Sequence, residues 1–308
     1  MKPVLAILDP DLRRDQPALV KAVQVAKQLD CPLQVYVNCW DAPTVRAIGL
    51  DEERLQNAIE ALMTGWERHL NARLDELGAG DVELHLVFEM RDMPFLSNLV
   101  LDLEPRLLVV HARDTSLLQR LTITPLHWTL IRKAPCPVLC VSDAPWGKRP
   151  AVVAAVDVDE SESPLNAAIL SQADALAAAV GGEVHGVHVV EYPDETLITL
   201  SESELVVAIP SPAEVLEEKR AVLASLLSQQ VRSAHQYEVL EGNPASALAI
   251  YMEAHPGILV MGTVYRGAIK RLLLGSTAER ILQHSQNDVL VVKAYDFQTP
   301  WQRTEDED

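Results

Sequence analysis

Short solid runs of apolar residues alternate along this chain with longer stretches in which apolar positions recur every three or four. Solid runs suit strands buried on both faces of a parallel sheet, and the three-four spacing suits helices laid across such a sheet. In the first half this predicts strands at 3–8, 33–38, 82–88, 107–110 and 137–141. Helices are predicted at 16–29, 51–77, 94–103 and 125–133, the last opening on Pro125, where a missing N–H does no harm. The long 51–77 pattern uses Leu55, Ile59, Leu62, Met63, Trp66, Leu70, Leu74 and Leu77. The series then restarts, with strands at 151–156, 184–190, 236–240, 257–261 and 289–292 and helices at 164–180, 216–231, 244–254 and from 277. Regular β/α alternation of this kind is solved by a parallel sheet with helices on both faces.

The restart is a repeat. Residues 107–141 lie over 258–292 without a gap at an offset of 151, strand on strand. The strand-end Asp9-Pro10-Asp11 corresponds to Asp157-Val158-Asp159. A chain of 308 residues is natural for two domains, so the expected organisation is a first domain at 1–143, a turn-rich linker at 144–150, a second domain at 151–296 and an acidic, solvated tail at 297–308. The formal charge of −18 is uneven: residues 1–149 carry 17 basic and 20 acidic side chains, residues 150–308 carry 9 and 24. The halves thus stand near −3 and −15, and an anion bound in the second must be held by local N–H groups and a few cations.

That charge argues against a nucleic-acid partner. No apolar run reaches membrane-spanning length, so no membrane insertion is expected, and Asp9 interrupts the N-terminal apolar run too early for a signal peptide. Cys31, Cys39, Cys136 and Cys140 form no CxxC pair, and buried reduced thiols in a cytoplasmic protein are the expectation. His188 and His235 have no companion Cys or carboxylate at metal spacing, so the sequence predicts no metal site.

The candidate chemistry lies between two of the predicted elements of the second half. The strand 257–261 runs into Gly262-Thr263-Val264-Tyr265-Arg266-Gly267 and on to Leu274-Gly275-Ser276-Thr277, where a helix begins. Glycines let backbone approach an oxyanion, and a helix start offers unpaired N–H groups with about half a positive charge. Lys270 and Arg271 stand within the loop and can add charge-assisted contacts. At the same offset the first half has His111, Asp114, Thr124 and Pro125 in place of Gly262, Tyr265, Gly275 and Ser276. The first copy therefore keeps the scaffold without the cradle.

Gly262, Gly275 and Ser276 match the spacing Gly, two residues, Gly, nine residues, Gly-Ser/Thr. With the strand-end aspartates and the strand Val187-His188-Val189-Val190-Glu191, nearly all of residues 3–295 resembles a tandem universal stress protein, two such domains in one chain. The pattern's second glycine falls on Tyr265, a residue that can stack on a base or fill the phosphate space; Gly267 supplies flexibility at a different offset. The resemblance implies an α/β fold of two tandem Rossmann-like (adenine nucleotide α-hydrolase-like) domains. Each would be a five-stranded parallel sheet of order 3-2-1-4-5, the two packed as an intramolecular pseudo-dimer through their final strands, with further pairing into a homodimer open. In that order a ligand sits beyond the carboxyl ends of strands 1 and 4.

Carried onto the second half, the resemblance implies ATP with Mg²⁺. Asp157 would meet adenine or ribose, and Val189 would meet the base through its backbone. Gly262, Thr263, Gly275, Ser276 and Thr277 would hold phosphates, with Tyr265, Gly267 and Lys270 alongside. A helix-capping turn is the competing role for Asp157 and Asp159. The alternative partner is an apolar small molecule held near the apolar segments 197–200 and 205–209, with the protein acting as a scaffold. Catalysis is not expected, because neither a GxxxxGK[ST] loop nor a GxSxG elbow is present.

Overall fold

A computed structural model describes residues 1–11, 15–49, 51–115, 120–122, 125–160, 163–192, 212–263, 280–282 and 287–303. The chain divides into two compact units. One comprises Met1–Asp114, Thr122–Pro145 and the tail from Gln298; the other comprises Thr115–Leu121 and Trp146–Phe297.

The first unit is built on β1 (Val4–Ile7), β2 (Leu33–Asn38), β3 (Glu83–Val87), β4 (Leu107–His111) and β7 (Val138–Val141); between β4 and β7 in the chain come β5 (Arg113–Thr115) and β6 (Arg120–Thr122), which form a separate two-stranded sheet. Its large sheet runs β3-β2-β1-β4-β7, every pair parallel, with Val4 level with Leu33 on one side and Leu107 on the other. The second unit repeats this with β8 (Ala151–Ala155), β9 (Glu183–Val190), β10 (His235–Glu241), β11 (Gly257–Gly262) and β12 (Asp288–Val292), ordered β10-β9-β8-β11-β12 and again parallel. Each sheet therefore has the predicted order 3-2-1-4-5, and strands β1, β4, β7 and β12 are buried almost throughout.

The helices of the first unit are α1 (Pro17–Gln28), α2 (Ala42–Ile48), α3 (Glu52–Glu76), α4 (Met93–Leu103) and α5 (Pro125–Lys133). Those of the second are α6 (Pro164–Val180), α7 (Pro212–Gln230) and α8 (Pro244–Ala254). Pro stands in the first turn of α1, α2, α4, α6 and α8, where its fixed φ suits the helix and its lost N–H is not needed. The predicted stripe of α3 is buried only at Trp66, Leu70 and Leu74; its amino-terminal half, with Leu55, Ile59, Leu62 and Met63, is half-buried.

Two predicted connections are more structured than their composition suggests. Within the turn-rich segment 144–150, the Trp146 indole N–H donates to Asp288 Oδ2 at 2.7 Å, and Asp288 is 2% exposed. In the tail, the Thr299 hydroxyl donates to the Lys133 carbonyl at 2.6 Å and Arg303 pairs with Asp102, so the described tail residues are tied to the first unit while most of them remain exposed. All four cysteines are thiols outside any disulfide; Cys39, Cys136 and Cys140 are buried as expected, but Cys31 is half-buried.

Among the described residues no helix is long and apolar enough to cross a membrane. A polar cluster is built into the second sheet's edge. The Gln236 amide donates to His185 Nε2 at 2.7 Å, which leaves the neutral ring's proton on Nδ1, 3.2 Å from the Tyr251 hydroxyl. Tyr251 in turn stacks on His255 at 4.2 Å. Burial first, and the His255 charge second, hold His185 below the ordinary imidazole value of 6.5.

Two predictions follow from the packing. A Cβ on Gly257 would stand 2.0 Å from the Ala151 carbonyl oxygen, whereas one on Gly186 would meet the Leu227 side chain at 2.4 Å. Gly186→Ala should cost about 1–3 kcal/mol, and Gly257→Ala more, because backbone cannot step aside as a side chain can. Thermal unfolding by circular dichroism gives the ranking, and equal losses would contradict it. For His185 the unfolded chain takes up a proton first as pH falls below 6.5, so its stabilising share is full above that value and lost below it. Urea unfolding at about pH 7.5 and pH 5.5 should show a smaller pH-dependent loss in His185→Gln than in the native chain.

Candidate functional site

The carboxyl end of β8 is closed by hydrogen bonds, not by chance geometry. Val156 N–H continues the sheet to the Val187 carbonyl, after which the chain turns through Asp157–Glu160. Asn166, 3% exposed in the first turn of α6, accepts from Asp157 N–H at 3.1 Å and donates to the Asp157 and Glu160 carbonyls at 2.6 and 2.9 Å. Asp157 Oδ1 accepts from Asp159 N–H at 3.0 Å, an Asx turn. The first unit does the same at the end of β1: Gln16 accepts from Asp9 N–H and donates to the Asp9 and Asp11 carbonyls, while Asp9 Oδ1 accepts from Asp11 N–H at 3.0 Å. Asp157 thus caps a turn with one oxygen while its side chain remains exposed. The amide clamps went unread in the sequence, although an Asn or Gln seven to nine residues past the strand-end Asp in both halves was the available signal.

Val189 sits one strand over. Val187 faces β8 with its backbone, and Val190 faces the other way, accepting from Gly242 N–H. By parity the Val189 N–H and C=O point toward β8 as well, past the point where that strand has ended. Gly262 ends β11, and a Cβ there would stand 2.6–2.8 Å from the side-chain atoms of Leu165, so the room this glycine leaves is taken by α6. Thr263 N–H donates to the Val292 carbonyl at 3.1 Å. The Thr263 side chain is 2% exposed, and its hydroxyl has no hydrogen-bond partner among the described residues. Tyr265, Gly267, Lys270, Gly275, Ser276 and Thr277 lie outside the described residues, as do the segments 197–200 and 205–209.

His188 corrects the sequence reading. It was expected to lack a companion carboxylate, yet one donor atom each of His188, Asp157 and Asp159 lies within 4.8 Å of the other two. Linear spacing could not reveal this, because the carboxylates come from the end of strand 1 and the imidazole from strand 2. Lys219 on α7 completes the group, its ammonium 2.6 Å from Asp159 Oδ1. That hydrogen bond is the largest of the influences that hold Lys219 above its ordinary range.

The corresponding crevice of the first unit is filled differently. His111 takes the place of Gly262, and its Nε2 lies 2.8 Å from Asp143 Oδ1 with the ring nearly buried. The His111 carbonyl accepts from His127 Nε2 at 2.9 Å, and the buried Lys21 donates to the neighbouring Ser142 carbonyl at 3.0 Å. Ala112, fully buried, stands where the second unit has Thr263. A cleft of about 440 Å³ beside Lys27, Cys31 and Asp81 opens at the opposite, amino-terminal end of this sheet.

The model of the universal stress protein family matches residues 1–142 and 149–293. Universal stress protein E of Photorhabdus laumondii is 27% identical over 96% of this chain and 96% of its own length, and that of Salmonella typhi 28% identical over 99% and 98%. Among solved structures, a functionally unknown protein from Pseudomonas aeruginosa PAO1 shares the fold with a TM-score of 0.67 at 23% identity, over 95% of this chain and 92% of that one. With two matched regions spanning both units, the chain belongs to the universal stress protein family.

Proposed function

We propose that this chain is a non-catalytic stress-response protein whose second unit takes an adenine nucleotide, ATP with Mg²⁺ foremost, across the carboxyl ends of β8, β9 and β11. The observation that carries the reading is the Thr263 hydroxyl, buried and, among the described residues, without a partner at the strand end where the glycine loop departs. A buried hydroxyl left unbonded costs about 1–3 kcal/mol, and a phosphate or ribose oxygen is one way to recover it. The backbone of Val189 offers a donor and an acceptor for the edge of the base, and the second carboxylate oxygen of Asp157 is placed for ribose hydroxyls. Gly275, Ser276, Thr277 and Lys270 enter from the sequence as phosphate ligands, with Tyr265 and Gly267 bordering them. Bound Mg²⁺ would neutralise charge between phosphates, which matters in a half carrying a formal charge near −15. Gly262 contributes by admitting Leu165 rather than by touching phosphate. The first unit, with His111 and Asp143 in the equivalent crevice, supports one nucleotide per chain.

Two measurements check this. Mass spectrometry of small molecules released from freshly purified protein, with thermal shift against ATP, ADP and AMP, should find an adenine nucleotide that is lost in Gly275→Asp. No released nucleotide and no shift at millimolar ATP with Mg²⁺ would sink the reading. Thr263→Val replaces the unpartnered hydroxyl by a methyl of the same shape. It should weaken nucleotide binding about fivefold, equivalent to about 1 kcal/mol, while leaving the ligand-free protein as stable as before or more so. A loss of stability without nucleotide would mean that the hydroxyl is satisfied in the folded protein.

A further inference from the structure

We propose that Asp157, Asp159 and His188 form a site for a divalent first-row transition-metal ion, which takes Asp159 from Lys219 when it binds. One imidazole nitrogen and two carboxylate oxygens make a mixed donor set of borderline character, suited to that class of ion rather than to Ca²⁺, whose sites are oxygen-only, or to a thiolate-preferring ion. The donor atoms lie within 4.8 Å of one another. Three ligands about 2.1 Å from a shared ion in tetrahedral geometry stand about 3.4 Å from one another, so each pair of donors must close by at most about 1.4 Å, a movement within reach of side-chain rotation at the two exposed aspartates.

His188 supplies the second, independent indication. Its side chain is 5% exposed, on a strand position that the sheet otherwise fills with aliphatic residues. Nδ1 lies 3.1 Å from the Val156 carbonyl and 3.4 Å from Val158 N–H. The shorter contact is made with Nδ1–H donating to the carbonyl, the arrangement that fixes the tautomer of metal-binding histidines. The remaining lone pair is then on Nε2; among the described residues the ring's hydrogen bonds are both made at Nδ1.

The first unit serves as an internal comparison. It has the same Asx turn, with Asp9 and Asp11 in the places of Asp157 and Asp159, but at the register position of His188 it has the fully buried Val37. The turn therefore folds without an imidazole, and His188 is not needed to build it. Lys219 shows what the two carboxylates attract: its ammonium is already 2.6 Å from Asp159 and bends there from a different helix. An incoming dication meets the same negative potential with a greater charge, and the flexible lysine stem can withdraw. The proposal does not rest on nucleotide binding. Both uses draw on Asp157, so the test is made on nucleotide-free protein.

Co²⁺ is titrated into the full chain after chelator treatment, with d–d absorption and calorimetry as readouts. One site per chain is expected, weakened tenfold or more in Asp159→Asn and in His188→Val, the latter copying the first unit's Val37. Lys219→Met removes the competing ammonium and should tighten binding severalfold. Absence of Co²⁺ absorption at millimolar ion, or binding equal in native chain, Asp159→Asn and His188→Val, would overturn the site. Asp159 is exposed, so its variant keeps the test decisive if His188→Val fails to fold, as circular dichroism would show. Binding that responds to Asp159 and His188 but not to Lys219→Met would keep the site and overturn the displacement.

Discussion

A parallel strand buried on both faces cannot simply stop, because the backbone groups beyond its last sheet partner must find others in a place that water does not reach freely. In both units the end of the first strand meets this demand with one buried amide side chain. Asn166 and Gln16 each offer an oxygen to the departing N–H and a nitrogen to two carbonyls of the turn, so one residue resolves three backbone groups. Everything placed at the top of the sheet depends on that turn. It aims Asp157 outward, sets Asp159 beside Lys219, and starts α6 so that Leu165 reaches Gly262. Removing the Asn166 amide would leave the turn's polar groups unpaired at about 1–3 kcal/mol each, and the crevice would lose its shape with them.

Much of the fold could be read from the chain, for a physical reason. Strands buried on both faces must be apolar at every position, so they stand out against helices whose polar faces meet solvent, and the β/α alternation leaves few topologies. The bounds of β2 and α5 were visible to the residue, since Pro125 and the polar edges of 33–38 mark them. What the pattern misjudged was burial. Leu55, Ile59, Leu62 and Met63 continue the period of Trp66, Leu70 and Leu74, but periodicity says which residues share a face and not how far the neighbouring surface extends. Trp146 and Thr299 were hidden by the same limit, since a turn-rich or charged composition does not reveal a single well-placed donor.

The described residues of the candidate site show what a linear pattern leaves out. Gly262 matched a nucleotide pattern, yet its missing side chain makes room for Leu165, a contact no spacing rule contains. Thr263, expected among the phosphate ligands, carries a buried hydroxyl with no partner among the described residues, a detail of burial that no spacing rule contains. His188 appeared isolated because its carboxylate neighbours belong to another strand. Linear motifs report what one loop contributes; the ends of three adjacent strands meet only in the folded sheet.

Duplication gave this chain two versions of one crevice, and His111 has settled the first of them by filling the gap with a ring held beside Asp143. Its significance lies in the shape of a response. A single independent site fills gradually as its ligand becomes more abundant, whereas two coupled sites can sharpen that rise into a threshold. Under the proposed function, a chain with one open crevice would be a gauge whose reading slides with concentration, and any abruptness in its behaviour would have to arise elsewhere.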